Sequence, residues 1–476
     1  MKRVFLAGLV YCLVSLSAFA QNNSGGNLTL QQCVETAINN NLNVQQSDLQ
    51  SQAAEINWKQ AKLDLLPDLN GSISHGINQG RSIDPFTNGY INQNVNVASY
   101  GLGSGVTLFN GLSLQNTIKQ TRFSYEASKM SLQQQKDNIT IGVIVRYLQV
   151  LNNQEILDQV LNQTDLTKKQ VERLDILNNE GAIAPSLLYD LKGQYAGDQI
   201  SYVNAKNAVE TAKLALCQLM NIPYDKNFSV EKIDISTLGG KYEDSPERVY
   251  QVAMEQFALI KSVDYSRQSA AMGVKVARGR LFPVLSLNAN FNTNYSNAAT
   301  SSTFLNTTDF TSSDYVVVNG TQSPVIKKQN NFLVEGISYG DQLKNNRYSN
   351  INLSLRIPIF NSLQQRNRIK LAKLDLKNAE VVEQATKTQL QQDIEQAYLD
   401  MTGAYERFDV LKEQEIAFNE SFRAAEIRFN AGVGNSIDYL TAKNNLDRSR
   451  INLIISKYEY VLRTKVLDYY KGEKLW

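Results

Sequence analysis

Two stretches of this chain, Leu112 to Glu180 and Leu363 to Ala431, each run 69 residues without a proline and with one glycine, Gly142 in the first and Gly403 in the second. Proline inside a helix removes a backbone hydrogen bond and clashes with the preceding turn, so its absence over such lengths predicts two continuous helices. At 1.5 Å per residue each is roughly 100 Å long. In the second stretch apolar residues stand at Leu390, Ile394, Ala397, Met401, Ala404, Phe408 and Leu411. That alternation of four and three is the spacing of coiled-coil packing. Glu415 interrupts the stripe, and Phe418, Phe422, Ala425 and Phe429 resume it.

The two stretches are copies. "GVTLFNGLSLQN" (Gly105 to Asn116) reappears as "RIPIFNSLQQRN" (Arg356 to Asn367), 251 positions later. Tyr147-Leu148 returns as Tyr398-Leu399 and Gly181 as Gly432 at the same offset. Upstream, "AKLDLLPDLNGSISHG" returns as "ARGRLFPVLSLNANFN", with Pro67 over Pro283 at an offset of 216. The offsets differ by 35, so the second copy carries an insertion of that size between Pro283 and Arg356. The Ser/Thr/Asn-rich run from Asn297 to Gln322 is the candidate, expected as a solvated polar loop. One duplication of a unit of about 200 residues fits these offsets, and short solenoid periods do not.

Each unit predicts helix, strand, loop, strand, very long helix, tight turn and return helix. The first repeat is expected over 21–220, with strands near 68–79 and 97–109, a long helix 112–180 and a return helix 185–220. An inter-repeat segment, 221–243, leads into the second repeat, 244–476. That repeat is expected to hold strands near 284–295 and 349–360, an inserted loop near 297–330, a long helix 363–431 and a return helix 436–471. Leu285, Leu287, Ala289, Phe291 and Tyr295 share one parity, against Ser286, Asn288, Asn290, Asn292 and Asn294 on the other. Ile351, Leu353, Leu355, Ile357 and Ile359 repeat this against Asn352, Ser354 and Arg356. Period two with one apolar face is a strand between two different environments. Leu69, Ile73, Ile77, Leu102, Val106 and Leu108 give the same pattern in the first copy. Proline disfavours helix in the residue before it, so helix is expected to yield to strand at Pro67 and Pro283.

An apolar face toward lipid and a polar face toward water is the pattern of a membrane barrel. Four strands do not close one, and open edges are not tolerated in lipid. Three chains pooling their strands would supply twelve.

The first twenty residues carry Lys2 and Arg3, an apolar run and Ala18-Phe19-Ala20, the form of a secretory signal peptide, expected over 1–20. Those two basic residues account for the formal net charge of +2, and no basic patch points to nucleic acid. Cys33 and Cys217 are too few for a disulfide scaffold. No later apolar run has the length of a membrane-spanning helix. The one histidine, His75, lies on the apolar parity of the first strand, and no phosphate loop, metal-ligand cluster or nucleophile elbow accompanies it. An enzyme is not expected. Trp476 follows a predicted helix rather than a strand, so its likeness to the aromatic last residue of barrel proteins is read as coincidence.

As an ordered set, these features resemble the TolC family of outer-membrane efflux proteins, over residues 28 to 472. The likeness rests on the duplicated unit, on Leu-Leu-Pro and Leu-Phe-Pro at Pro67 and Pro283, and on Phe109-Asn110 and Phe360-Asn361 after the second strands. The glycine turns complete it. The resemblance implies a mainly α fold with membrane β: a trimeric 12-stranded β-barrel continued by a long α-helical coiled-coil barrel. It implies a passive exit duct in the bacterial outer membrane, its helices in the periplasm, serving a tripartite efflux or type I secretion system without a cofactor or metal. The implied partners are a homotrimer, outer-membrane lipid, a periplasmic adaptor (membrane fusion) protein and an inner-membrane transporter of RND or ABC type. Gly181, Ala182, Ile183 and Ala184, with Gly432, Val433 and Gly434, correspond to the adaptor-docking tips, although Pro185 departs from the family there. Asp438 matches the first acidic position of the family's periplasmic gate. Thr441 departs from the second, and Asp190 stands at the equivalent of Thr441 in the first repeat. The alternative for Asp438 is an acid placed to favour a helix N-terminus. The alternative for the whole is a trimeric coiled-coil adhesin or envelope stalk, which would show one heptad rod and no hairpin duplication.

Overall fold

The computed structural model describes residues 27–83, 88–92, 94–233 and 242–473. The expected signal peptide, Trp476 and part of the inter-repeat segment lie outside them. The elements in order are α1 (Leu30–Asn40), α2 (Leu42–Leu63), β1 (Asn70–Asn78), β2 (Arg81–Ile83), β3 (Tyr90–Asn92), β4 (Val95–Phe109), α3 (Ser113–Asn179) and α4 (Pro185–Met220). Then follow α5 (Pro246–Gln256), α6 (Ala258–Gly279), β5 (Val284–Ser296), β6 (Thr300–Val318), β7 (Thr321–Gly336), α7 (Tyr339–Asn345), β8 (Tyr348–Arg356), α8 (Gln364–Asn430) and α9 (Ser436–Lys471).

The duplication extends to element boundaries. The offset of 216 carries α1 and α2 onto α5 and α6 residue for residue, and 251 carries α3 and α4 onto α8 and α9. Both long helices have 67 residues and both return helices 36. The caps repeat as well. Thr29 opens α1 with a capping box to Gln32, and Ser245 opens α5 by accepting from the Arg248 amide.

Four expectations are corrected. The opening helix of each repeat is two helices, broken at Asn41 and Phe257, both extended. Asn41 breaks the first because its side chain accepts from the amides of Asn43 and Val44 and so caps α2. Phe257 turns inward instead, its ring 5.3 Å from that of Tyr469. The helices before Pro67 and Pro283 end four residues earlier, at Leu63 and Gly279, leaving room for a turn before each proline. The last strand stops at Arg356, so Ile357 to Phe360 are not in the sheet. The insertion is not a loop but a long antiparallel hairpin, β6 with β7, closed by Asn319-Gly320 at φ 50° and 80°. Two left-handed residues, Asn then Gly, are what a type I′ hairpin turn requires.

The chain divides into two units, each described by itself. One is helical, formed by 27–55, 123–268 and 377–473. Its stripe on α8 is as expected: Leu390, Ile394, Ala397, Met401 and Ala404 are buried. Its largest cluster joins Val143, Ile144, Tyr147 and Leu151 of α3 to Leu216 and Met220 of α4 and to Cys33 of α1. Tyr147 is wholly buried, and its hydroxyl donates to the carbonyls of Leu28 and Glu231 at 3.1 and 2.7 Å. Cys33 and Cys217, far apart in sequence, share this cluster as free thiols, and burial pushes the Cys33 thiol up to about 12. The other unit, 56–122 and 269–376, contains one four-stranded antiparallel sheet in the order β1-β4-β5-β8. Among the described residues, no helix is long and apolar enough to cross a membrane.

Two glycines with left-handed φ differ in their surroundings. At Gly111, φ +66°, an added Cβ would lie 2.2 Å from the Gly279 carbonyl oxygen and 2.6 Å from Phe282 Cβ. At Gly432, φ +74°, it would meet nothing within 4 Å. Gly432→Ala is therefore expected to cost only the left-handed backbone penalty, about 1–2 kcal/mol. Gly111→Ala should cost distinctly more and lower the yield of folded protein. Thermal melting of the two purified variants checks this, and equal losses would rule out close approach as the reason for glycine at 111.

Candidate functional site

The sheet sorts its side chains by face as the alternation predicts. Register pairs Leu102 with Phe291, Val106 with Leu287, Leu287 with Leu353 and Leu285 with Leu355, so one face is apolar across all four strands. It is also uncovered: Leu69 is 75% exposed, Ile73 79% and Ile351 78%. His75, on this face, is paired in register with Ala98. The opposite face is lined by amides. Asn288, Asn290 and Asn292 pair in register with Gly105, Gly103 and Gly101, and their side chains lie over those glycines. At the loop end of the apolar face Tyr295 packs on Tyr339 with ring centroids 4.7 Å apart, and the Tyr339 and Tyr100 hydroxyls share a hydrogen bond. Tyrosines at the rim of an apolar band are where a membrane barrel meets the lipid headgroups.

The other rim is the strand-to-helix junction. Phe109, Phe360, Leu66, Leu281 and Phe282 are all exposed there, so the Leu-Leu-Pro and Leu-Phe-Pro segments and both Phe-Asn pairs add to the apolar surface. After each Phe-Asn come two consecutive left-handed residues: Gly111 and Leu112 in one copy, Ser362 and Leu363 in the other. This explains the small residue after asparagine in both copies. A leucine at φ near +60° twice, at equivalent positions, is a costly conformation that turns strand abruptly into helix. Asn110 then caps α3, its Oδ1 accepting from the Leu114 amide at 3.2 Å. Among the hydrogen bonds found, Asn361 takes part through its carbonyl alone, accepting from the Gln364 amide.

In the helical unit the tips are two copies of one turn. The amides of Gly181 and Ala182 donate to the carbonyls of Asn178 and Leu177, and those of Gly432 and Val433 to Phe429 and Arg428. This is a Schellman closure, with glycine in the left-handed position. The exits differ. Pro185 starts α4 without a side-chain cap, whereas Asn435 caps α9 by accepting from the Asp438 amide at 2.7 Å. Ile183 is half-buried against a cluster of Leu174, Leu188, Phe422, Phe429 and Tyr439, while Ala182, Ala184 and Val433 are exposed. Gly434 lies close under the helix end, where a Cβ would sit 3.1 Å from the Phe429 amide. Asp190 and Asp438 are both exposed. Ser436 donates to Asp190 at 3.3 Å, which brings Asp190 to the start of the helix carrying Asp438. Arg173 of α3 donates to the side chain and the carbonyl of Asn430, a second tie between the two hairpins.

Sequence reading missed a buried charged cluster behind the tips. Lys443, 1% exposed, sits with its ammonium 3.1 Å from Asp198 of α4 and 2.6 Å from Asp447. Burial raises the Asp447 carboxyl above its ordinary range, and Lys443 opposes the shift. The available signal was Lys443 and Asp447 one helical turn apart, a pattern usually found on solvated faces. Glu415, the interruption in the coiled-coil stripe, is explained similarly: it accepts from Arg450 at 3.1 Å. Among the described residues no group of histidine, cysteine and acidic side chains could hold a metal ion.

With this geometry in hand, the comparisons identify the class. The sequence profile of the family described as outer membrane efflux protein matches residues 33–221 and 249–468, and the chain belongs to that family. Outer membrane protein TolC of Escherichia coli (strain K12) is 20% identical over 460 residues, covering 94% of this chain and 83% of TolC. Crystal structures of CusC superpose with a TM-score of 0.74 at 15% identity, covering 96% of each chain. The open state of the Neisseria gonorrhoeae MtrE outer membrane channel gives 0.71 at 16%, covering 93% of this chain and 88% of MtrE. The protein is an outer-membrane efflux channel component, not an enzyme, with its long helices in the periplasm.

The four strand ends that join α2, α3, α6 and α8 lie at one end of the sheet, so the β6–β7 hairpin and the short α7 leave from the opposite end. Cysteines substituted at Ser301 or Asn319 are expected to react with a membrane-impermeant maleimide on intact cells. Labelling only after the outer membrane is permeabilised would contradict this topology.

Proposed function

We propose that three copies of this chain pool their strands into one 12-stranded barrel and form a passive duct from the periplasm to the exterior. The observation that carries the proposal is the four-stranded sheet, with β1 and β8 each paired on one side only and one face apolar and uncovered. Unpaired backbone groups are not stable in hydrocarbon, and copies of the same sheet are the partners at hand. Channels of this family generally work as trimers with a periplasmic adaptor and an inner-membrane pump. We assign adaptor docking to the tips at Gly181–Ala184 and Gly432–Gly434. Their exposed small residues and closed turns support it, and the uncapped Pro185 exit makes the two contact surfaces unequal. Gly432→Asp adds a charge and backbone strain at an exposed turn. Its expected effect is loss of drug or substrate export in cells with normal amounts of oligomer in the outer membrane. Unimpaired export would remove the tips from the docking surface.

We further assign Asp190 and Asp438 to an acidic periplasmic mouth. The hydrogen bond from Ser436 to Asp190 supports their nearness, and like charges in a narrow opening favour cations. The competing role for Asp438, an acid in the first turn of α9 opposite the helix dipole, is separable by experiment. The Asp190→Asn, Asp438→Asn double variant should lose cation preference and block by multivalent cations in planar bilayers. A small loss of stability with selectivity unchanged would leave only the helix-start role.

A further inference from the structure

The β6–β7 hairpin is fixed at its root and uncovered along its length. Gln342 of α7, 2% exposed, accepts from the Ser296 amide at 2.9 Å and donates to the carbonyls of Ser296 and Ile337, both at 2.9 Å. The end of β5 and the end of the hairpin are thereby held together. Above this root every residue of both strands is exposed except Ser312, Val325 and Asn331, which are half-buried. The middle of the hairpin is polar, with Asn331 donating to Asn306 and Thr308, both at 2.9 Å. Its far end is apolar: Tyr315, Val316, Val317, Val318 and Ile326 are all more than half exposed. Register and alternation set Tyr315 and Val317, with Pro324 and Ile326, on one face, and Val316 and Val318, with Val325, on the other.

A two-stranded ribbon alone is marginally stable in water, and an exposed Tyr-Val-Val-Val run invites association. The character of this end selects what covers it. Apolar side chains on both faces do not suit a lipid surface, which would take one face. Pro324, Lys327 and Lys328 all lie on β7, and such residues discourage addition of a further strand at an edge. A ring of three copies engages two different surfaces of each subunit, and two apolar faces supply them. The distances agree. Twelve strands about 4.8 Å apart, tilted about 40°, make a barrel about 24 Å across, so three hairpins would root about 20 Å from one another. With 19 residues β6 reaches about 60 Å, so a lean of about 10° toward the barrel axis brings the three far ends together.

We propose that the far ends of the three β6–β7 hairpins pack on one another, each face against the opposite face of the next copy, and form an open tripod above the exit of the duct. The proposal rests on the trimeric reading given above. The apolar ends are its apex, and the polar middles of the legs border the openings through which solutes leave.

The test uses the purified full-length channel in detergent, free of any outside partner. Val317→Cys treated with a short bis-maleimide is expected to give linked dimers of the chain on denaturing gels, in a yield unchanged by dilution. Ser301→Cys, at the root, should link several-fold less. Cys33 and Cys217 are buried and do not compete. The mass of the same sample before linking keeps the two readings apart. A monomer would remove the trimer and the tripod with it. An intact trimer in which Val317→Cys links no better than Ser301→Cys would overturn the tripod alone. So would an environment-sensitive dye on the Val317→Cys variant that shifts to the blue only when lipid vesicles are added, since the far end would then lie on a membrane. Linking is expected to leave conductance in planar bilayers unchanged, because solutes pass between the legs. Conductance lost on linking would mean that the ends part for passage and that the tripod is not open.

Discussion

Everything about this chain follows from backbone groups that it cannot satisfy alone. The sheet β1-β4-β5-β8 has two open edges and an apolar face with nothing against it. In water such a sheet would aggregate. In lipid it is admissible only when closed, and closure by identical neighbours is the arrangement that one sequence can encode. The lateral extent of the apolar face sets the rest. It is bounded by Tyr100, Tyr295 and Tyr339 at one rim and by Phe109, Phe282 and Phe360 at the other. Beyond the second rim the paired left-handed residues at 111–112 and 362–363 turn the chain into the long helices.

Duplication makes this economical. Each repeat supplies two strands and two hairpin-forming helices, and the helix boundaries agree residue for residue under the two offsets. The copies have diverged in burial where their neighbours differ. Leu148 is buried in the largest helical cluster, whereas its counterpart Leu399 is 66% exposed. The added length, by contrast, is confined to one end of the sheet. The 35-residue difference falls entirely at the loop end of the sheet, where added length disturbs neither strand register nor helix phase.

The legible part of the sequence was the part governed by periodicity and by residues that break it. The absence of proline over two 69-residue stretches gave both long helices to within one residue at each end, and period-two alternation gave the four sheet strands. Glycines 181 and 432 marked the turns because only a left-handed position closes a helix that way. What failed was decided by specific partners. Asn41 breaks a helix through its own side chain, and nothing in its composition says so. The insertion reads as polar loop because its strands are Ser/Thr/Asn-rich, and only Asn319-Gly320 signalled a hairpin. Ile357 and Ile359 continue the alternation of β8, yet the strand ends at Arg356 as the chain approaches its left-handed turn. The Lys443 cluster was invisible because each charge looks like an ordinary surface residue on its own helix.

The helical unit is not uniformly cohesive. Around Tyr147, Leu216 and Met220, and again around Ile394, Met401 and Tyr460, its clusters are apolar and closely packed. Behind the tips the buried positions are increasingly polar: Thr164, Thr167, Gln170, Asp198, Lys443 and Ser449 all lie below 10% exposure. In the same region Gln163 Nε2, Gln170 Oε1 and the Tyr439 hydroxyl have no hydrogen-bond partner among the described residues. An unpartnered buried polar atom costs free energy that water would recover. Separation of the helices in this region would regain solvation for these groups, as it would for Asn152 Oδ1, one residue beyond Leu151 of the largest cluster, and for Ser456 Oγ. The two parts of the hairpins therefore differ in the polarity of what they bury, apolar around Tyr147 and Met401 and mixed behind the tips, while unpartnered polar atoms occur in both.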